Sequence, residues 1–295
     1  MDWLVEQACR GVVEQVLCRP FAYGFMQRAL VAGLLAVAAT SVVGTWMVLR
    51  GLSFLGDALA HGVIPGIALG VLVGFDLNLG AVLAAVVMVA AINLVHRRAG
   101  VTEDTGIGLL FVGMLALGVI IMSRTDSYTG SLTTILFGDA LGVDRADIAV
   151  VAATALAVVP ASLVFYRPLL VLSFNQDKAE VLGLAPRLAH LGLLGLITLA
   201  VVGSFHTVGT LLVFGLLVGP PATATLLVRS VPAVMLTAVL LGVGAVVAGL
   251  VVSFHADTAS SATMAGIAVA MFFAVLLGRE AWWWVRGMML SAGRR

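Results

Sequence analysis

Long apolar runs, separated by short polar or glycine- and proline-bearing clusters, set the pattern of this chain. Runs long enough to cross a bilayer as helices occur at about 26–49, 56–74, 77–95, 105–123, 146–166, 188–205, 207–228, 232–254 and 261–278. Several are short, so nine spans, or eight spans with one re-entrant piece, satisfy the pattern equally well. The run at 207–228 contains Pro220 and Pro221, which have no N–H and leave the Leu216 and Leu217 carbonyls without helical donors. A broken helix is expected there, of the kind tolerated where backbone meets protein or a water-filled path. Residues 2–19 read differently. Trp3, Leu4, Val5, Ala8, Cys9, Val12, Val13, Val16 and Leu17 share one side, and Asp2, Glu6, Gln7, Arg10, Glu14 and Gln15 the other. This predicts an amphipathic helix lying in the membrane interface over 1–20. A transmembrane domain over 21–280 and a short tail over 281–295 complete an all-α integral membrane protein of 8–9 transmembrane helices.

Composition narrows the function. Of 295 residues, 61% are hydrophobic and 11% charged, against about 25% charged in a soluble domain. The single lysine, Lys178, has no Gly-x-x-x-x-Gly before it, so a phosphate-binding loop is excluded and ATP-driven work would need another subunit. A net charge of +1 argues against nucleic acid as a partner. Basic residues follow every other span: Arg50, then His96-Arg97-Arg98, then Arg167, Lys178 and Arg187, then Arg229, then Arg279, Arg286, Arg294 and Arg295. The positive-inside rule makes that side, and the carboxy terminus, cytoplasmic.

Two stretches carry candidate chemistry. In the second span, Asp57 and His61 interrupt an apolar run, and ionisable groups at that depth normally face a cavity or a partner. Four residues apart, they share a helix face about 6 Å apart along the axis. Pro65 removes the donor for the His61 carbonyl. A carboxylate, an imidazole and a free carbonyl make a half-site for a divalent cation. The plainer alternative is Asp57 paired with Arg50 and His61 as an interhelical hydrogen bonder. On the basic side, Asn175 can cap a short helix that Gly183 stops and Pro186 forbids from continuing. Its charged Asp177, Lys178 and Glu180 beside apolar Ala179, Val181 and Leu182 suit docking to a partner subunit. His206, His255 and Asp257 fall at the opposite ends of their spans. They are candidates for an outer receiving site that leans toward zinc, with isolated interfacial residues as the alternative. An intramembrane hydrolase lacks its motifs, as no His-Glu-x-x-His or Gly-x-Ser-x-Gly occurs. An ion-gradient-driven transporter or channel would explain the acid–imidazole pair but not the docking helix.

GTWMVLRGLSFLGDALAHGVIPGIALG, EDTGIGLLF, LFGDALGV, FNQDKAEVLGL and VGTLLVFGLLVGPPATATLL, in that order, resemble the signature blocks of the metal-type ABC transporter permeases. This is the ABC-3 family of manganese, zinc and iron importers. The resemblance covers roughly 20–278 and implies a type II importer-like fold, as in the vitamin B12 and siderophore importers. It implies a permease homodimer in the cell membrane that is not itself an enzyme and holds no permanent cofactor. Two cytoplasmic ATPase subunits would drive it, and an extracellular or periplasmic binding protein would deliver Zn²⁺, Mn²⁺ or Fe²⁺. Asp57 and His61 take the family's Asp-x-x-x-His position, which contacts the ion. Residues 174–184, with Asn175, Asp177, Lys178, Glu180 and Gly183, take the place of its coupling helix. Mixed nitrogen and oxygen ligation suits zinc or manganese, with a slight lean to zinc from the outer histidines.

Overall fold

The computed structural model describes residues 19–98, 102–123, 142–174, 180–181 and 183–292. The expected interfacial helix lies outside that range. A single 3₁₀ turn, Pro20–Ala22, precedes the helices α1 (Gly24–Leu49), α2 (Ser53–Gly62), α3 (Ile64–Val73), α4 (Leu77–Arg98), α5 (Glu103–Met122), α6 (Arg145–Val164), α7 (Tyr166–Phe174), α8 (Pro186–Val208), α9 (Thr210–Leu227), α10 (Val231–Ala256) and α11 (Ser260–Ala292). Counting α2 and α3 together, nine segments among the described residues are long and apolar enough to cross a membrane. Their limits fall within a few residues of those expected from the apolar runs, except that α11 runs on through the expected tail to Ala292.

Local chemistry sets the helix ends. Gly51, at φ +70°, closes α1 with its N–H on Val48 and the Leu52 N–H on Met47, the paired bonds of a left-handed glycine terminus. Asp76 begins α4 by accepting the Leu79 N–H at 2.9 Å. Asp144 and Asp147 form a reciprocal capping box at α6. The Asp147 N–H is the main cause that holds the Asp144 carboxyl below the usual carboxylate range, with a smaller contribution from Arg28.

The expected break at Pro220-Pro221 does not occur: α9 runs unbroken, and the chain bends instead at Gly209, between α8 and α9. Packing explains the difference. The Leu217 carbonyl, which Pro221 deprives of its donor, lies against Gly44 of α1, where a Cβ would collide with it. The bare α1 backbone accommodates the carbonyl, so the helix need not open to hydrate it.

α1 forms the centre, packed by α6, α8, α9 and α10. Trp46 is fully buried there, donating Nε1–H to Ser162 Oγ at 2.9 Å and resting edge-on against Tyr166. Leu109, Val112, Leu156 and Leu163 face outward, as lipid-facing residues would. Successive spans are antiparallel, and their ends meet at two rims. At one, Tyr23 before α1 meets Phe254 near the end of α10, ring centroids 5.7 Å apart. At the other, Arg50 after α1 reaches His190 early in α8, and Arg279 of α11 donates to the Leu226 carbonyl of α9 at 2.8 Å. The second rim carries Arg50 and Arg279, basic residues from two of the loops that the charge pattern singles out.

Gly44→Leu is expected to abolish the monodisperse peak in fluorescence-detected size exclusion. Gly278→Leu, with open space at its Cβ position, is expected to keep that peak.

Candidate functional site

The second span is two helices. Pro65 cannot donate to the His61 carbonyl, and the helix is interrupted at Val63. α3 restarts with the Gly66 and Ile67 N–H groups both on the Val63 carbonyl at 3.1 Å. The whole span covers 21 residues from Ser53 to Val73, so the turn lies at its midpoint. His61 sits two residues before that turn.

The amphipathic pattern of α2 aims the polar pair. Leu55, Ala58, Leu59 and Ala60 are buried in the core, and Gly56 and Gly62 admit the Leu217 and Met88 side chains at close range. Asp57 and His61 are thereby turned to the opposite face, with side chains 27% and 19% exposed in the single chain. Asp57 Oδ1 is 3.4 Å from His61 Nε2, longer than an ordinary N–H···O bond of about 2.9 Å. The two groups are in electrostatic contact without being closed on each other. The other ring nitrogen, Nδ1, is buried and has no hydrogen-bond partner among the described residues. Phe111 of α5 meets the imidazole at 5.7 Å between ring centroids, and Phe54 of α2 meets Phe111 at 5.3 Å.

Arg50, weighed from the sequence as a partner for Asp57, reaches into α8, where Nη1 is 2.9 Å from His190 Nδ1. A guanidinium can only donate, so the imidazole accepts at Nδ1 and carries its proton on Nε2. The spacing along the chain gave no signal of this contact, nor of Phe111 against His61. Both join helices that are distant in sequence.

The remaining candidates are spread out. His255 belongs to the last turn of α10, its Nδ1 2.9 Å from the Val251 carbonyl of its own helix. Asp257 closes that helix in the left-handed region, at φ +49°, and the Thr258 N–H bonds the Ser253 carbonyl across it. His206 lies in the last turn of α8, and its side chain is outside the described residues. α8 packs on α1, α2, α4, α6, α7 and α9, whereas α10 packs on α1, α9 and α11. Among the described residues, no three His, Cys, Asp or Glu side chains converge as a metal cage. At the basic rim, Glu180 and Val181 are helical and exposed, and Gly183 follows at φ +67° with its N–H on the Glu180 carbonyl. Asn175, Asp177 and Lys178 lie outside the described residues.

The site thus offers one hard oxygen and one borderline nitrogen ligand, at mid-span, on a lateral face. Two ligands hold an ion loosely, and anything tighter must draw on groups from elsewhere.

The chain matches the ABC 3 transport family over residues 22–279. It is 35% identical over 251 residues to the manganese transport system membrane protein MntC of Halalkalibacterium halodurans, covering 85% of this chain and 86% of that protein. It is also 35% identical over 265 residues to the chelated iron transport system membrane protein YfeD of Yersinia pestis, covering 89% and 88%. The solved structure of PsaBC from Streptococcus pneumoniae in complex with Fab superposes with a TM-score of 0.78 at 29% identity, covering 90% of this chain and 95% of that one.

Pro65→Ala returns an N–H opposite the His61 carbonyl. The expected outcome is slower amide exchange over residues 63–66, read by mass spectrometry, with the protein still assembled.

Proposed function

We propose, from the premise that this chain belongs to the ABC 3 transport family, that it is the permease subunit of an ATP-driven importer of a divalent transition metal, Mn²⁺ or Fe²⁺. The observation that carries this reading is the Asp57–His61 pair. An acid and an imidazole lie 3.4 Å apart at the turn of a broken membrane span, on a face the core leaves open. Ionisable groups at such depth mark an ion path. The names of the manganese and iron relatives favour those cations over zinc. A zinc preference would lean on His206, His255 and Asp257, and His255 Nδ1 is directed at its own helix carbonyl.

In this mechanism a binding protein docks at the rim of Phe254 and Asp257 and releases the cation into a path between two copies of this chain. Asp57 supplies an anionic oxygen and His61 a nitrogen. The same pair from the second copy raises the ligand count near the symmetry axis. Mixed oxygen and nitrogen ligation fits Mn²⁺ and Fe²⁺, and an incomplete, partly exposed set keeps binding weak enough for release. The basic rim is cytoplasmic, and the carboxy terminus with it. There two ATPase subunits grip the segment around Glu180 and Gly183, where Val181 is 88% exposed. An apolar side chain so uncovered suits a partner's pocket. ATP binding closes the ATPases, moves these segments and exchanges access between the two faces. Hydrolysis itself belongs to the ATPase chains.

Asp57→Ala and His61→Ala, expressed with the ATPase and binding protein, are each expected to bring radiolabelled Mn²⁺ uptake down to background. The complex should still assemble, as judged by co-purification of the ATPase. Unchanged uptake in both variants would reject the path. Gly183→Val strains a left-handed turn and is expected to lower metal-stimulated ATPase activity while leaving metal binding by the permease intact. Comparing Mn²⁺, Fe²⁺ and Zn²⁺ in that ATPase assay ranks the cargo.

A further inference from the structure

A histidine that binds metal through one ring nitrogen ordinarily donates its other N–H to a carboxylate, carbonyl or water, and that bond fixes the ring. His61 lacks this support: with Nε2 directed to Asp57, Nδ1 is buried and unpartnered among the described residues. A ring meets it instead. Phe111 crosses the imidazole at 5.7 Å and 65°, and Phe54 crosses Phe111 at 5.3 Å and 75°. Because Phe54 and His61 both belong to α2 while Phe111 belongs to α5, the three rings tie the ion-facing helix to its neighbour.

We propose that Phe111 is a positioning residue for the transported cation, setting the orientation of the His61 ring by edge contact where a hydrogen bond would normally do so. The inference rests on reading Asp57 and His61 as ion ligands. Edge-to-face contact constrains the ring plane without a directional bond that must break when the ring turns. His61 can therefore present Nε2 to an arriving ion and rotate as the ion departs, at little cost. A cation on Nε2 also draws electron density from the imidazole and sharpens the positive edge that favours an aromatic neighbour. Phe111 is thus most useful when the site is loaded.

The test is Co²⁺ binding to the full chain in lipid nanodiscs, followed by ligand-field absorption. Phe111→Leu is expected to raise the half-saturating Co²⁺ concentration about threefold to tenfold, the range an aromatic pair contributes, and to shift the absorption band. Phe111→Tyr keeps the ring and is expected to stay within about twofold of the parent chain. If Phe111→Leu does not assemble, Phe111→Met, which fills the space without a ring, decides in its place. Parent-like Co²⁺ binding by the ringless variant, or a Tyr variant as impaired as it, overturns the positioning role. His61→Ala separates the two layers of the argument. If it loses Co²⁺ while the ringless variant does not, Phe111 alone is rejected. If it binds as the parent does, or if the parent binds no Co²⁺, the ion-ligand reading falls too.

Discussion

A peptide carbonyl without a donor is costly in hydrocarbon, where water cannot replace the missing bond. This chain accepts that cost repeatedly by placing prolines within its spans, at Pro65, Pro160, Pro220 and Pro221. Two of these show opposite solutions. At Pro65 the helix stops and restarts, and α3 opens on the Val63 carbonyl, which takes the Gly66 and Ile67 N–H groups. At Pro221 the helix continues, and the orphaned Leu217 carbonyl is set against the bare backbone of Gly44. The first solution changes the direction of the chain beside a polar pair. The second keeps α9 unbroken in the tightly packed interior around α1.

The candidate ion site follows from the first solution. Because Leu55, Ala58 and Leu59 anchor the back of α2 in the core, Asp57 and His61 have no buried pocket of their own. They open instead onto a lateral face with a gap between them. A storage site would gather more ligands and close around the ion. A carrier must let go, and a loosely opposed pair whose histidine leans on aromatic rings is suited to that task.

The positions of the spans were legible in the sequence because the length and apolarity of a run are one-dimensional properties. The missing N–H at Pro65 was legible too, since it is a covalent fact. What the missing bond leads to was not. Whether a proline breaks a helix depends on the neighbour that meets the freed carbonyl, and nothing near Pro221 in the chain announces Gly44. The contacts of Trp46 with Ser162, Arg50 with His190 and His61 with Phe111 escaped for the same reason. Helical periodicity says which face a residue occupies, not which residue of another helix stands opposite it. The Asp57–His61 pair was visible because both groups share one helix, where spacing alone makes them neighbours.

The contact between Gly66 and Gly80 has a mechanical consequence. Each glycine occupies the position where the other's Cβ would collide with a carbonyl, so the main chains of α3 and α4 touch with no side chain between them. Such a seam offers no compliant methylene layer in which the two could slip. α3 and α4, joined through the left-handed Gly74 and with α3 packed also on α5, are therefore held together as one stiff unit. Val63 marks where that unit leaves α2, whose back face is buried in the core.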